Sequence, residues 1–297
     1  MCIRDRNMIA RALNVTLIYG KSRNPVLHSL NLEIDSGQVL PILGGNGTGK
    51  TTLLKALSGL LRPHLGRILI DDSDLYQKRG SALQRLSSSL YSERSFYYRL
   101  SARENLRYFL SLRGIYGRTA MSSIDMALDR FDLLGLQDIP FMHLSLGQRK
   151  RLGLARAFAA PASLYILDEP TANLDAKSCR LVYQAMTDKS ADGASILFST
   201  HNVADLATST GNVIYLKNGN ATRVHLETRD SITARKRFRI VGSLDPESIA
   251  SIPEVSCVIS QSEVEVDIPV GKSLGSVLQS FERIGIEVNE VIDDRSR

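Results

Sequence analysis

Cysteine is scarce in this chain: Cys2, Cys179 and Cys257 are the only three in 297 residues. They are far apart and odd in number, and no disulfide or zinc-ligand spacing links them. A reducing compartment fits that usage. Long hydrophobic runs are also missing. None approaches the roughly 18–20 residues needed to cross a bilayer, and no signal-peptide pattern opens the chain. The expectation is a protein that is soluble, or held at a membrane by a partner. No nucleic-acid module with interleaved aromatics is present either. The formal net charge is +6, but the basic residues are scattered, apart from Arg149-Lys150-Arg151 and Arg235-Lys236-Arg237. These runs read as solvated surface, and no nucleic-acid partner is expected.

What remains is a globular composition, 43% hydrophobic and 23% charged, with no low-complexity tract. The length suggests one large α/β domain and a small second one. The first six residues, Met1 to Arg6, resemble the translation of a transposon-based sequencing adapter. Residues 1–8 are therefore set aside as non-native or disordered, with the true start expected at Met8 or further upstream.

One stretch carries most of the chemical information. Gly44-Gly45-Asn46-Gly47-Thr48-Gly49-Lys50-Thr51-Thr52 matches G-x-x-x-x-G-K-[ST], a phosphate-binding loop. Glycines let the backbone curl so that successive N–H groups face an anion. The helix that follows adds the positive end of its dipole. Lys50 can reach the β- and γ-phosphates of a nucleotide, and the Thr51 hydroxyl can ligate Mg²⁺.

The surrounding pattern alternates strand and helix. Residues 12–19, 26–34 and 66–70 read as strands. The apolar run 39–43 reads as a buried strand feeding the loop, with a local distortion or an edge-facing N–H position expected at Pro41. Residues 50–61 read as a helix with Leu53, Leu54, Leu57 and Leu60 on one side, and 101–137 as mainly helical, opened by a Ser101–Glu104 capping box. Residues 164–167 and 195–199 read as short buried strands, and 213–216 with 221–224 as a hairpin around Asn218-Gly219. Past a polar break at 227–237 the order becomes β-α-β-β-α-β: strand 237–241, helix 246–252, strands 255–260 and 263–268, helix 273–284 and strand 287–292. That order suggests a small ferredoxin-like domain.

Leu164-Tyr165-Ile166-Leu167-Asp168-Glu169 delivers two acids at the end of a buried strand, where open α/β sheets bind ligands. Asp168 can hold Mg²⁺ through water, and Glu169 can orient or deprotonate an attacking water. Leu144-Ser145-Leu146-Gly147-Gln148 opens a helix that Ser145 can cap.

Together these motifs resemble the nucleotide-binding subunits of ABC transporters, over roughly residues 9–225. The resemblance implies a P-loop NTPase cassette with a RecA-like core, an antiparallel β subdomain and a helical subdomain at about 93–145. A linker at 227–236, a small α+β C-terminal domain at 237–292 and a tail at 293–297 complete the expected layout. It further implies an ATP hydrolase using ATP and Mg²⁺, with Lys50, Glu169 and His201 in catalysis. Tyr19 stands where the family stacks adenine, and Gly44 to Thr52 bind ATP. Leu144, Ser145, Leu146, Gly147 and Gln148 form the signature that grips the ATP of a second cassette. Leu146 replaces the glycine most common there. Asn173-Leu174-Asp175 matches the D-loop, and His201 the switch histidine.

A glutamine that the family usually keeps after the P-loop helix is missing. Glu93, in Ser92-Glu93-Arg94-Ser95-Phe96-Tyr97-Tyr98, is expected to replace it as a Mg²⁺ ligand beside Thr51 and Asp168. The aromatics Phe96, Tyr97, Tyr98 and Phe109 flank the place where the family receives its membrane partner. The implied function is the ATPase subunit of an exporter of the drug, lipid or polysaccharide class. It would sit peripherally on the inner face of the cell membrane, bound to separate transmembrane permease subunits and paired with a second cassette, most simply as a homodimer. The alternatives are a soluble ABC ATPase outside transport and a regulatory cassette with weak hydrolysis.

Overall fold

The computed structural model describes residues 8–18, 25–77, 79–90, 95–217, 219–225, 236–243, 255–260, 263–268, 278–279, 281 and 287–293. In chain order the elements are β1 (Met8–Ile18), β2 (Pro25–Asp35), β3 (Val39–Leu43), α1 (Lys50–Leu57), β4 (Leu65–Ile70), β5 (Ser73–Asp74), α2 (Arg79–Gln84) and β6 (Leu86–Ser89). Then come α3 (Ala102–Ser111), α4 (Gly117–Arg130), α5 (Leu146–Ala159), β7 (Leu164–Asp168), α6 (Ala176–Ala191), β8 (Ser195–Thr200), β9 (Asn212–Lys217) and β10 (Asn220–His225). The last strands are β11 (Lys236–Ser243), β12 (Val255–Ser260), β13 (Glu263–Ile268) and β14 (Glu287–Asp293). The chain divides into two compact units, Met1–His201 with Leu216–Ala221, and Asn202–Tyr215 with Thr222–Arg297.

In the first unit an antiparallel sheet runs in the order β2-β1-β4-β5. Leu27, Leu30, Leu32 and Ile34 of β2 are buried while Glu33 faces out. That is the alternation of a sheet with one wet face. Met8, set aside with the N-terminal residues, pairs with Asp35 as the first residue of β1.

The second sheet of this unit holds a parallel core in the order β6-β7-β8-β3. Every residue of β3 and β8 is buried, as expected for strands covered on both faces. Pro41 leaves the ladder to β8 intact. The β3–β8 register runs evenly from Val39↔Ile196 to Leu43↔Thr200. The Ile196 N–H donates to the Gln38 carbonyl at 2.7 Å, so even-numbered residues of β3 face β8. Alternation then turns the Pro41 nitrogen away from β8, where its lack of a proton costs that ladder nothing.

α1 stops earlier than its spacing suggests. Gly59 takes φ +74°, its N–H donates to the Ala56 carbonyl, and the Leu60 N–H reaches back to Lys55. These two bonds form a Schellman cap. Leu60 therefore lies outside the helix and is 65% exposed rather than on its buried side.

Helices α3 to α6 pack around one apolar cluster with β7 and β8. Phe96 stacks on Phe141 at 4.7 Å, and the Arg156 guanidinium lies 4.6 Å from the Phe96 ring and 4.7 Å from Phe109. Burial among these rings pulls the Arg156 pKa down to about 10. The capping box of α3 is present, with the Ser101 N–H on Glu104 at 2.8 Å and the Glu104 N–H on the Ser101 hydroxyl at 3.2 Å.

The run Arg149-Lys150-Arg151 is not solvated surface. Arg149 donates to the Met142 carbonyl, Lys150 to those of Glu169 and Ala172, and Arg151 to those of Phe131 and Asp132. These cations donate to backbone carbonyls of the loops packed around α5.

In the second unit β11 to β14 form a sheet in the order β12-β13-β11-β14, each neighbour antiparallel. The helix expected at 246–252 lies outside the described residues. Of the one at 273–284, Leu278, Gln279 and Phe281 are described as helical, with Leu278 and Phe281 buried.

Candidate functional site

The carboxyl ends of β3, β7 and β8 meet at one edge of the parallel sheet, because Leu43 pairs with Thr200 and Asp168 with Ser199. The loop Gly44–Gly49 leaves β3 there and enters α1. Gly49 caps α1 at φ +101°, ψ 8°, and no side chain caps that helix end. A Cβ on Gly49 would lie 2.9 Å from Val26, and one on Gly44 would lie 2.6 Å from the Leu216 carbonyl oxygen. The first N–H groups of α1 are thus open to an anion. They border a cavity of about 280 Å³ lined by Val26, Asn46, Gly47, Gly49, Lys50, Thr51, Thr52 and Glu169. Thr48 turns away from it, donating to the Gly45 carbonyl at 3.0 Å.

Lys50 is buried, and its ammonium donates to the carbonyls of Gly44 at 2.7 Å and Gly45 at 2.9 Å. Burial lowers its pKa from the ordinary lysine value, partly offset by the charges of Glu169 and Asp168. An anion in the cavity would meet a buried ammonium held by two backbone carbonyls.

Asp168 gathers two hydroxyls. Thr51 Oγ1 donates to it at 3.0 Å, and Ser199 Oγ donates to its Oδ1 at 2.6 Å. Ser199 also accepts the Glu169 N–H at 2.9 Å. Glu169 stands at φ +45°, a left-handed conformation rare for a residue with a side chain. Its Oε1 lies 3.3 Å from His201 Nδ1, with both side chains partly open to solvent. Such strain in a non-glycine residue costs about 1–3 kcal/mol and persists where the surroundings hold it.

Further motifs lie at the heads of two helices. Ser145 caps α5 in a reciprocal box with Gln148, its N–H on Gln148 at 2.8 Å and its hydroxyl accepting the Gln148 N–H at 3.3 Å. Leu144 is buried, Ser145 and Leu146 are exposed, Leu146 to 55%, and Gly147 and Gln148 are half-buried. Asn173 takes φ +59°, Leu174 is partly buried, and Asp175 caps α6 by accepting the Ser178 N–H at 2.6 Å. That bond holds the Asp175 carboxyl below the usual carboxylate range.

The sheet edge therefore brings together Gly44 to Thr52, Asp168, Glu169 and His201. Tyr19 and Glu93 lie outside the described residues. Two residues of the site went unread in the sequence. Ser199 joins Asp168 to the Glu169 backbone, and the pairing of its strand with β7 was the available signal. Lys150 was passed over as one of three consecutive cations. Of the aromatics near 96–109, Phe96 is buried and Phe109 partly buried, while Tyr97 and Tyr98 are 48% and 43% exposed. Tyr97, Tyr98 and Tyr108, the last 37% exposed, are placed to meet another surface.

Comparison with known proteins bears on the family and the fold. A family profile described as ABC transporter matches residues 27–172. The cytochrome c biogenesis ATP-binding export protein CcmA of Xanthomonas campestris pv. campestris is 39% identical over 185 residues, 62% of this chain and 84% of that protein. CbiO1 of Clostridium perfringens, part of the ABC transporter complex cbiONQ, superposes with a TM-score of 0.63 at 27% identity, covering 74% of this chain and 89% of that one. The bacterial ABC transporter cassette MJ0796, solved as a dimer, shares the fold at a TM-score of 0.67 and 24% identity, over 74% of this chain and all of that one. The same cassette has been solved in a post-hydrolysis state with ADP and Pi.

Proposed function

The chain belongs to the ABC transporter family of ATP-binding cassettes, and on that premise we propose how its residues divide the work. It is an ABC-type ATP hydrolase, the ATP-binding subunit of a transporter. The proposal concerns the role of each group, the closure of the site and the partners.

The loop amides, the N-terminus of α1 and Lys50 hold the β- and γ-phosphates. Glu169 aligns water in line with the γ-phosphate and receives its proton, and His201 steadies both the phosphate and Glu169. Most of the acceleration in such a site comes from positioning and charge neutralisation. Mg²⁺ fits the donor set. Thr51 and Asp168 offer hard oxygen atoms side by side, and among the described residues no cluster of three His, Cys, Asp or Glu competes for a softer metal. When bound, the ion would neutralise charge on the phosphate oxygens. Glu93 and Tyr19 keep their assigned roles, Mg²⁺ ligand and adenine platform, on sequence alone.

One cassette offers half of each closed site. Ser145 and Gly147 from a second copy complete it over the γ-phosphate, with Asn173 to Asp175 at the contact between copies. ATP then joins two cassettes and hydrolysis releases them.

We place the subunit at the inner face of a membrane, driving export. The permease is assigned to separate transmembrane chains; among the described residues no helix is long and apolar enough to span a bilayer. An open groove of about 820 Å³, lined by Leu100, Tyr108, Ile115, Tyr116 and Met121 among others, offers the permease a mixed apolar surface. The named role of the CcmA relatives makes cytochrome c biogenesis the first export process to test. The ABC domain is assigned to 9–226 and a ferredoxin-like domain to 237–292, supported by the sheet order of β11 to β14.

The observation that carries the reading is the convergence of Thr51, Asp168, Ser199, Glu169 and His201 beside the phosphate loop. The experiment is Glu169→Gln, assayed for ATP binding and phosphate release. Binding retained with turnover lost supports the assignment. Turnover at the wild-type rate rejects Glu169 as the hydrolytic carboxylate.

A further inference from the structure

Lys150 lies in the first turns of α5, five residues past the Ser145 cap. Its ammonium donates to the Glu169 carbonyl at 2.8 Å and to the Ala172 carbonyl. These two carbonyls bracket a tight turn, closed by the Ala172 N–H on the Glu169 carbonyl at 3.2 Å. Glu169 is the residue at φ +45°, and its own N–H is held by Ser199 of β8. The backbone of Glu169 is thus gripped on both sides, at the N–H from the sheet and at the carbonyl from α5.

We propose that Lys150 is a positioning residue for hydrolysis, holding the main chain of Glu169 from the helix that Ser145 begins. The inference rests on the reading of Glu169 as the carboxylate that aligns water. A left-handed residue needs its surroundings to keep it there, and a cation shared between two carbonyl dipoles supplies charge-assisted bonds stronger than neutral ones. Lys150 does not line the nucleotide cavity. Its removal therefore lets the carboxylate drift while leaving the phosphate grip intact, and the loss falls on turnover rather than on ATP affinity. The arrangement has a consequence for the closed dimer. Ser145 and Gly147 engage the ATP of the other cassette, and the same helix grips this cassette's Glu169. Seating α5 on one nucleotide sets the carboxylate facing the other.

The test compares Lys150→Met, Lys150→Arg and Glu169→Gln in the full chain, measuring kcat and KM for ATP. A misplacement of about 1 Å costs up to roughly a hundredfold in rate, so Lys150→Met is expected to lower kcat by about ten- to a hundredfold with KM unchanged. Lys150→Arg, which keeps the charge and can bridge two carbonyls, is expected to recover part of the loss. Wild-type kcat in Lys150→Met overturns the inference. So does a loss that arginine does not rescue, or one that appears mainly in KM. If Lys150→Met does not fold, Lys150→Gln carries the same comparison. Glu169→Gln separates the two layers. If it abolishes turnover while Lys150→Met keeps the wild-type kcat, only the role of Lys150 falls; if it retains turnover, the reading of the site falls first.

Discussion

Replacing Ser199 by alanine deletes one oxygen atom, yet the structure gives that atom two partners. Its hydroxyl donates to Asp168 at 2.6 Å and accepts the Glu169 N–H at 2.9 Å, and Ser199 is fully buried. A bond to a carboxylate contributes about 1.5–3 kcal/mol and a neutral one about 0.5–1.5 kcal/mol. The variant should therefore lose roughly 2–4 kcal/mol of stability, lowering the melting temperature by about 5–15 °C. Turnover should also suffer, because Asp168 loses the donor that fixes its oxygen and Glu169 loses its hold on β8. At about 1.4 kcal/mol per tenfold, a kcat loss of roughly ten- to a hundredfold corresponds to about two-thirds of that energy being expressed at the reacting centre. Ser195 supplies the control. It is equally buried at the other end of the same strand, paired with Leu164 rather than Asp168, and its hydroxyl donates to the Asp35 carbonyl at 2.8 Å. Ser195→Ala should cost about 1 kcal/mol in a thermal melt and leave kcat unchanged. Phosphate release and calorimetry on both variants decide the matter. If Ser199→Ala matches Ser195→Ala in both assays, Ser199 does not organise the two acids.

Three further outcomes follow from the geometry. Gly49→Ala must hold a methyl group at φ +101° and 2.9 Å from Val26, so it should destabilise by about 1–3 kcal/mol and weaken ATP binding, read by melting and nucleotide titration. Lys50 has a lowered pKa, so ATP affinity should begin to fall at a pH below 10.5 as its charge is lost. Stability without nucleotide should rise over the same window, because there the unfolded chain binds the proton and the folded chain does not; titration and melts against alkaline pH check both signs. Asp175→Ala should loosen the start of α6 and slow hydrolysis. The stabilisation by Asp175 is present above the ordinary carboxylate pKa and lost as pH falls through its lowered value, so the variant's acid stability curve should be flatter than the wild type's.

The phosphate loop, the acidic strand end and the helix cap at Ser145 were legible because each depends on local chemistry. Glycines near positive φ, an apolar strand ending in acids, and a serine three residues before a glutamine each fix geometry within a few residues. The misreadings arose where distant parts decide. Leu60 fits a helical period, but Gly59 ends the helix with a Schellman cap, and the signal was the glycine itself. Pro41 spares the ladder to β8 because its nitrogen faces the other way, and sequence does not say which way a strand residue faces. The cations 149–151 looked like surface because a run of charge does not reveal which backbone carbonyls it will meet. Ser199 was invisible for a similar reason: a buried serine acquires meaning only once β7 and β8 are in register. Tyr19 and Glu93 rest on family resemblance, since they lie outside the described residues.

Closure of two cassettes over ATP is the central claim, and sedimentation of the Glu169→Gln chain measures it most directly. With ATP and Mg²⁺ the account predicts a dimer that returns to monomer in ADP and fails to form when Ser145 is also replaced by arginine. A chain that binds ATP yet stays monomeric, or a dimer indifferent to Ser145, would contradict it.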